Sequence, residues 1–182
     1  LQKIARDEEI HESRLIELID EEGLNYMSSV VLGLNDALVE FTGALAGYTF
    51  ALQHAKLVAL TGAITGIAAA LSMAASEYLS TRTENNVHKN ALKAAVYTGI
   101  AYVITVVVLI LPFVLLSNVY WGLGVCLFGA LVIIAIFNYY YSIVKTESFR
   151  HRFTEMAIIS IGIAAISFLI GYALRVFTGI EL

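Results

Sequence analysis

Asp36, Glu40 and Glu77 lie inside two apolar segments long enough to cross a bilayer, and no other acidic residue is so placed. An ionised carboxylate at the centre of a membrane costs about 2.5–3.5 kcal/mol even on the most lenient scale. Chains keep such groups to bind a cation, to carry protons or to pair with another charge. Neither segment has a Lys or Arg in its interior to pair with them. Their chemistry therefore reads as metal or proton handling. Asp36 and Glu40 are four residues apart and share one helical face. In the second segment Met73 and Glu77 have the same spacing. Carboxylates suit hard or borderline divalent cations, and a thioether shifts preference toward softer transition metals. That mixture suggests Fe²⁺, with Mn²⁺, Co²⁺ or Zn²⁺ as competitors. Desolvated carboxylates also hold protons more readily, which suits exchange of a metal against protons.

The elements that must carry these groups follow from composition. The 182 residues are 59% hydrophobic and 14% charged, against about 45–50% apolar and about 25% charged in a soluble domain. The chain reads as an all-α integral membrane protein. Five apolar segments, near 27–52, 57–80, 92–117, 119–143 and 154–177, approach the roughly 20 residues needed to span, and lipid admits them only as helices. Pro112 predicts a kink late in the third. The first two segments form a tight antiparallel hairpin. Counting from its turn puts Asp36 and Met73 at comparable depth, Glu77 nearer the cytosol and Glu40 nearer the far side. Gly43-x-x-x-Gly47 and Gly62-x-x-x-Gly66 are small-residue patterns that let helices approach closely.

Nine Lys and Arg fall in the N-terminal stretch and in the second and fourth connectors, against only Lys56 and Arg175 on the other side. The positive-inside rule then predicts a cytosolic N-terminus and an outer C-terminus. Eight of the fifteen acidic residues crowd positions 1–22. There Ile4, Leu15, Ile16, Leu18 and Ile19 mark one face of an amphipathic cytosolic helix, so residues 1–24 read as one unit and 25–182 as the membrane domain. No basic face suits nucleic acid. Cys126, the lone cysteine, reads as a small buried hydrophobe.

The hairpin resembles the vacuolar iron transporter family. The resemblance rests on Gly33-Leu34-Asn35-Asp36-Ala37-Leu38-Val39, on Leu45-Ala46-Gly47, and on Ser72-Met73-Ala74 with Glu77-Tyr78-Leu79. It implies a homodimer with a metal path between subunits, and exchange of cytosolic Fe²⁺ for protons. It further implies that Asp36 is the intramembrane carboxylate and Met73 the pathway methionine. Plant-type members have a Glu eight residues before that Met, where this chain has Thr65. Glu40 and Glu77 are the local carboxylates that would substitute. Those members also insert a Glu- and Met-rich domain after the second span, where this chain has about ten polar residues. Glu84, His88, His151 and Glu155 are candidates for a cytosolic mouth, with plain solvated surface as the alternative. Glu8 and His11 form a Glu-x-x-His pair like that of ferritin-like di-iron bundles. Because the chain begins at Leu1, residues 1–24 read as the last helix of such a domain with its ligands vacant, or as a charged linker. A fusion of that kind points to a prokaryotic plasma membrane.

Three other functions compete. A proton-coupled carrier of a small organic cation would use the same carboxylates in an aromatic-lined cavity; the deep Met and the scarcity of deep aromatics near Asp36 argue against it. A membrane sensor or structural protein would use the carboxylates only to specify helix pairing. An enzyme built on the N-terminal helix would lack the rest of a four-helix site.

Overall fold

The computed structural model describes residues 21–83, 89–145 and 148–178. Those residues form helices and the turns between them. The first twenty residues of the expected helix over 1–24, with Glu8 and His11, lie outside them, as do Glu84 and His88. From Glu21 one continuous helical rod runs to Leu52. It comprises α1 (Glu21–Asp36), a π-helical turn (Ala37–Phe41) and α2 (Thr42–Leu52). Then follow α3 (Ala55–Thr83), α4 (Ala91–Leu115), α5 (Val119–Lys145) and α6 (Phe149–Thr178).

Five spans result, beginning with Tyr26–Leu52. Each is long and apolar enough to cross a membrane. The third helix shows how the pattern is divided. Leu57, Leu60, Ile64, Ile67 and Leu71, spaced by three and four, are exposed, whereas Val58, Gly62, Gly66 and Ala70 are buried. An apolar residue facing outward at helical spacing is normal where lipid is the solvent. The interior is filled by Phe41, Leu38, Leu45, Tyr102, Leu109, Phe113 and Ile134, all essentially inaccessible.

The turns are short and chemically marked. The first hairpin needs only Gln53 and His54; Gln53 takes a left-handed φ of 50° and its N–H donates to Thr49 O. Asn90 caps α4, its side chain accepting from the N–H groups of Leu92 and Lys93. Asn118 does the same for Tyr120 and Trp121 at the start of α5. Helix α4 continues one turn past Pro112 and ends where Leu116 N–H donates to Pro112 O.

Glycine decides which helices touch. A Cβ on Gly66 would stand 2.5 Å from Val106 Cγ1, and one on Gly62 2.8 Å from Leu45 Cδ2, so α3 packs onto α4 and α2. A Cβ on Gly43 would meet Ile163 at 2.8 Å, and one on Gly47 would meet Ser167 O at 3.1 Å. Gly171 allows no Cβ at all, with Gly47 O only 2.3 Å from where it would stand. The small residues of the first span thus seat the fifth span, far away in sequence.

Candidate functional site

The π turn begins directly after Asp36 and contains Glu40. A π turn inserts an extra residue into the helix and is concentrated at functional sites. Asp36 is half-buried about ten residues inside the first span, about 15 Å from Tyr26 at 1.5 Å per residue, and so near the bilayer midplane. Glu40 lies beside it within electrostatic reach and is exposed on the surface of the single chain. On the inner side Tyr102 of α4 is fully buried with its hydroxyl close to both carboxylates. That hydroxyl has no hydrogen-bond partner of ordinary geometry. Asn35 Oδ1 and Thr42 Oγ1, which flank the turn in sequence, are likewise buried and unpartnered. Buried polar atoms without partners are uncommon and require a physical reason. The turn thus carries two neighbouring carboxylates, with the Tyr102 hydroxyl beside Asp36 and buried polar oxygens at Asn35 and Thr42. On the far face of the turn, Ser160 Oγ of α6 donates to Leu38 O at 2.6 Å and ties the π turn to the fifth span.

Glu77 has different surroundings. It is buried, and its Oε1 accepts from Ser29 Oγ at 2.6 Å and from Lys89 Nζ at 2.9 Å. Lys89 also reaches Ser28 Oγ at 3.3 Å. The expectation that Glu77 lacks a basic partner is corrected here. The lysine comes from the connector and reaches back into the hairpin. Around this pair Thr98 Oγ1 donates to Ser29 O, Asn90 N–H donates to Tyr26 Oη, and Tyr26 stacks on Tyr97 at 5.2 Å. The α1 start, α3 end and α4 start are thereby clamped at one end of the bundle.

Met73 is half-buried and packs against the interior cluster. Thr65 shares a 3.1 Å hydrogen bond with Tyr48 Oη across the hairpin, so that position remains polar. His151 and Glu155 are exposed at the start of α6, beside stacked Phe149 and Phe153. Among the described residues no three His, Cys, Asp or Glu side chains converge as a metal centre within one chain. The structure brings Asp36 and Glu40 together and sets Glu77 in its own ion pair.

Tyr102, Asn35, Thr42 and Ser160 were missed as site residues. Tyr102 carried a legible signal, being a tyrosine in the middle of a span rather than at an interface. It also corrects the expectation that aromatics are scarce at depth near Asp36.

Five apolar spans with a carboxylate pair at mid-depth define a multi-pass membrane protein. Residues 27–92, the hairpin with the start of α4, match the family model of the VIT family. Over that stretch, 66 of the 182 residues, the chain is similar to the VIT family, and the match supports a membrane protein that moves metal ions. No curated protein matches the chain.

Proposed function

We propose that the protein exports Fe²⁺, or a closely related divalent metal, from the cytosol in exchange for protons. Asp36 is the principal metal and proton carrier, Glu40 its neighbour on the path, and Met73 the soft ligand that biases the site toward Fe²⁺ over Mg²⁺ or Ca²⁺. One observation supports this most strongly. Asp36 and Glu40 stand side by side at mid-span amid the unpartnered oxygens of Asn35, Thr42 and Tyr102. A cation entering there would neutralise two like charges and give those oxygens a partner, directly or through its water. With no metal, a proton shared by the two carboxyls relieves the same repulsion, which couples the two cargoes.

The protein works as a homodimer. Glu40, Ser72 and Ser76 face outward from apolar spans of the single chain, a poor arrangement against lipid. A second copy covering them would bring two sets of Asp36, Glu40 and Met73 together and complete a ligand set that one chain lacks. Glu77, held by Lys89, shapes the cytosolic end of the path. The Lys and Arg distribution supports a cytosolic N-terminus, and the Glu8–His11 pair, like that of a ferritin-like fusion, favours a prokaryotic plasma membrane.

Uptake by proteoliposomes with an imposed pH gradient tests the reading. Wild type takes up Fe²⁺ with a matching internal pH change, and Asp36→Ala loses both. Unchanged uptake by Asp36→Ala refutes the assignment. The second reading, an organic-cation carrier, gains support from Tyr102 beside Asp36, since an aromatic face also attracts cations. Competition separates the two. Mn²⁺ and Co²⁺ should suppress Fe²⁺ flux, whereas quaternary ammonium ions should not.

A further inference from the structure

A long, open groove with about 810 Å³ of space runs between α3 and α4 on the outer surface of the bundle. Small residues make its floor. A Cβ on Gly99 would stand 3.2 Å from Ala74 Cβ, so the helices touch there and the larger side chains of Ile67, Leu71, Leu92 and Val103 rise as walls. The walls are apolar along the whole length until Tyr78. At that end Arg82 lies four residues beyond Tyr78 and three beyond Leu79, continuing the groove face of α3 by one turn. Its guanidinium carbon is 5.7 Å from the Tyr78 ring centroid, and Nη1 is 3.4 Å from Tyr78 Oη. Across the groove Lys93, three residues before the groove residue Val96, adds a second positive charge at the same end.

We propose that this groove binds an anionic phospholipid, with an acyl chain along the Ala74–Gly99 floor and the phosphate on Arg82 and Lys93. The groove combines the two parts of such a ligand in the right order. Its apolar length lies within the span, and its basic end lies level with Tyr26, Tyr97 and the Asn90 cap, where headgroups reside. A second copy of the chain is the weaker occupant. The outward polar residues of α3, Ser72 and Ser76, follow Leu71 and Ala75 by one residue and so face roughly 100° away from the groove. A subunit that covers those serines leaves the groove to lipid. The inference does not depend on which metal is carried.

Native mass spectrometry of the full chain in detergent, titrated with phosphatidylglycerol or phosphatidylcholine, reads this directly. Wild type should retain phosphatidylglycerol about thirtyfold more tightly, the preference expected of two basic groups at a membrane surface. Arg82→Gln with Lys93→Gln should bring the two lipids level. Arg82→Lys with Lys93→Arg should keep the preference, which separates charge from folding. Ala75→Trp, which fills the groove, should weaken both lipids. Equal retention by wild type, or a preference that survives loss of both charges, overturns the proposal. So does efficient cross-linking of two copies through Ala75→Cys in a Cys126→Ser background, because the groove would then be a subunit contact.

Discussion

Asp36 and Glu77 are both carboxylates in apolar helices, yet their surroundings assign them different work. Glu77 has a lysine at 2.9 Å and a serine at 2.6 Å on the same oxygen. Asp36 has another carboxylate and a buried phenol beside it. A carboxylate that already has a cation has little need of a second, whereas a like-charged pair at depth does need one. Lys89→Met should lower stability by about 3 kcal/mol, because it strands a buried charge. The double variant Lys89→Met, Glu77→Gln should recover most of that loss. Thermal melting in detergent gives both values. Equal losses in the single and double variants would mean that the pair is not coupled. The lysine was not legible in the sequence, because it lies outside both hydrophobic segments and hydropathy says nothing of what it contacts. Tyr102 was legible in principle, since nothing at an interface explains a tyrosine in the middle of the third hydrophobic segment.

The five spans, their lengths and their order could be read from hydropathy, because lipid leaves the backbone no alternative to helix. The π turn could not. Ala37-Leu38-Val39-Glu40-Phe41 is an ordinary helical pentapeptide, and the insertion is supported by contacts from elsewhere in the chain, including the Ser160 hydroxyl on Leu38 O. The small-residue spacings of the first span showed that some helix approaches closely, but not that it is the fifth. Pairing of that kind is decided by shape over 120 residues of separation. Gly171→Ala should therefore destabilise the protein by about 2–3 kcal/mol, since its new methyl collides with the backbone at Gly47. Gly162→Ala on the same helix has nothing within 4 Å of the added carbon and should be neutral or stabilising by up to about 1 kcal/mol. Similar melting temperatures for the two variants would show that α2 and α6 do not meet as described.

At the scale of the whole molecule, the outward Ser72 and Ser76 lie on a different side of α3 from the apolar groove. One surface suits a second copy and the other suits lipid. Ser76→Cys in a Cys126→Ser background should cross-link two chains in bilayers, whereas Ile64→Cys, on the lipid face, should not. Cross-linking of Ile64→Cys alone would place the subunit contact elsewhere. The central claim is that a passing metal compensates the desolvation of Asp36 and Glu40. The most direct measurement is a crystal of the full chain soaked in Co²⁺ or Mn²⁺ and read for anomalous scattering. The account predicts a peak within coordination distance of the Asp36 and Glu40 carboxylates, close to Met73, that vanishes in Asp36→Ala. A peak confined to the helix ends, with Asp36 and Glu40 bonded only to neighbouring helices, would contradict it.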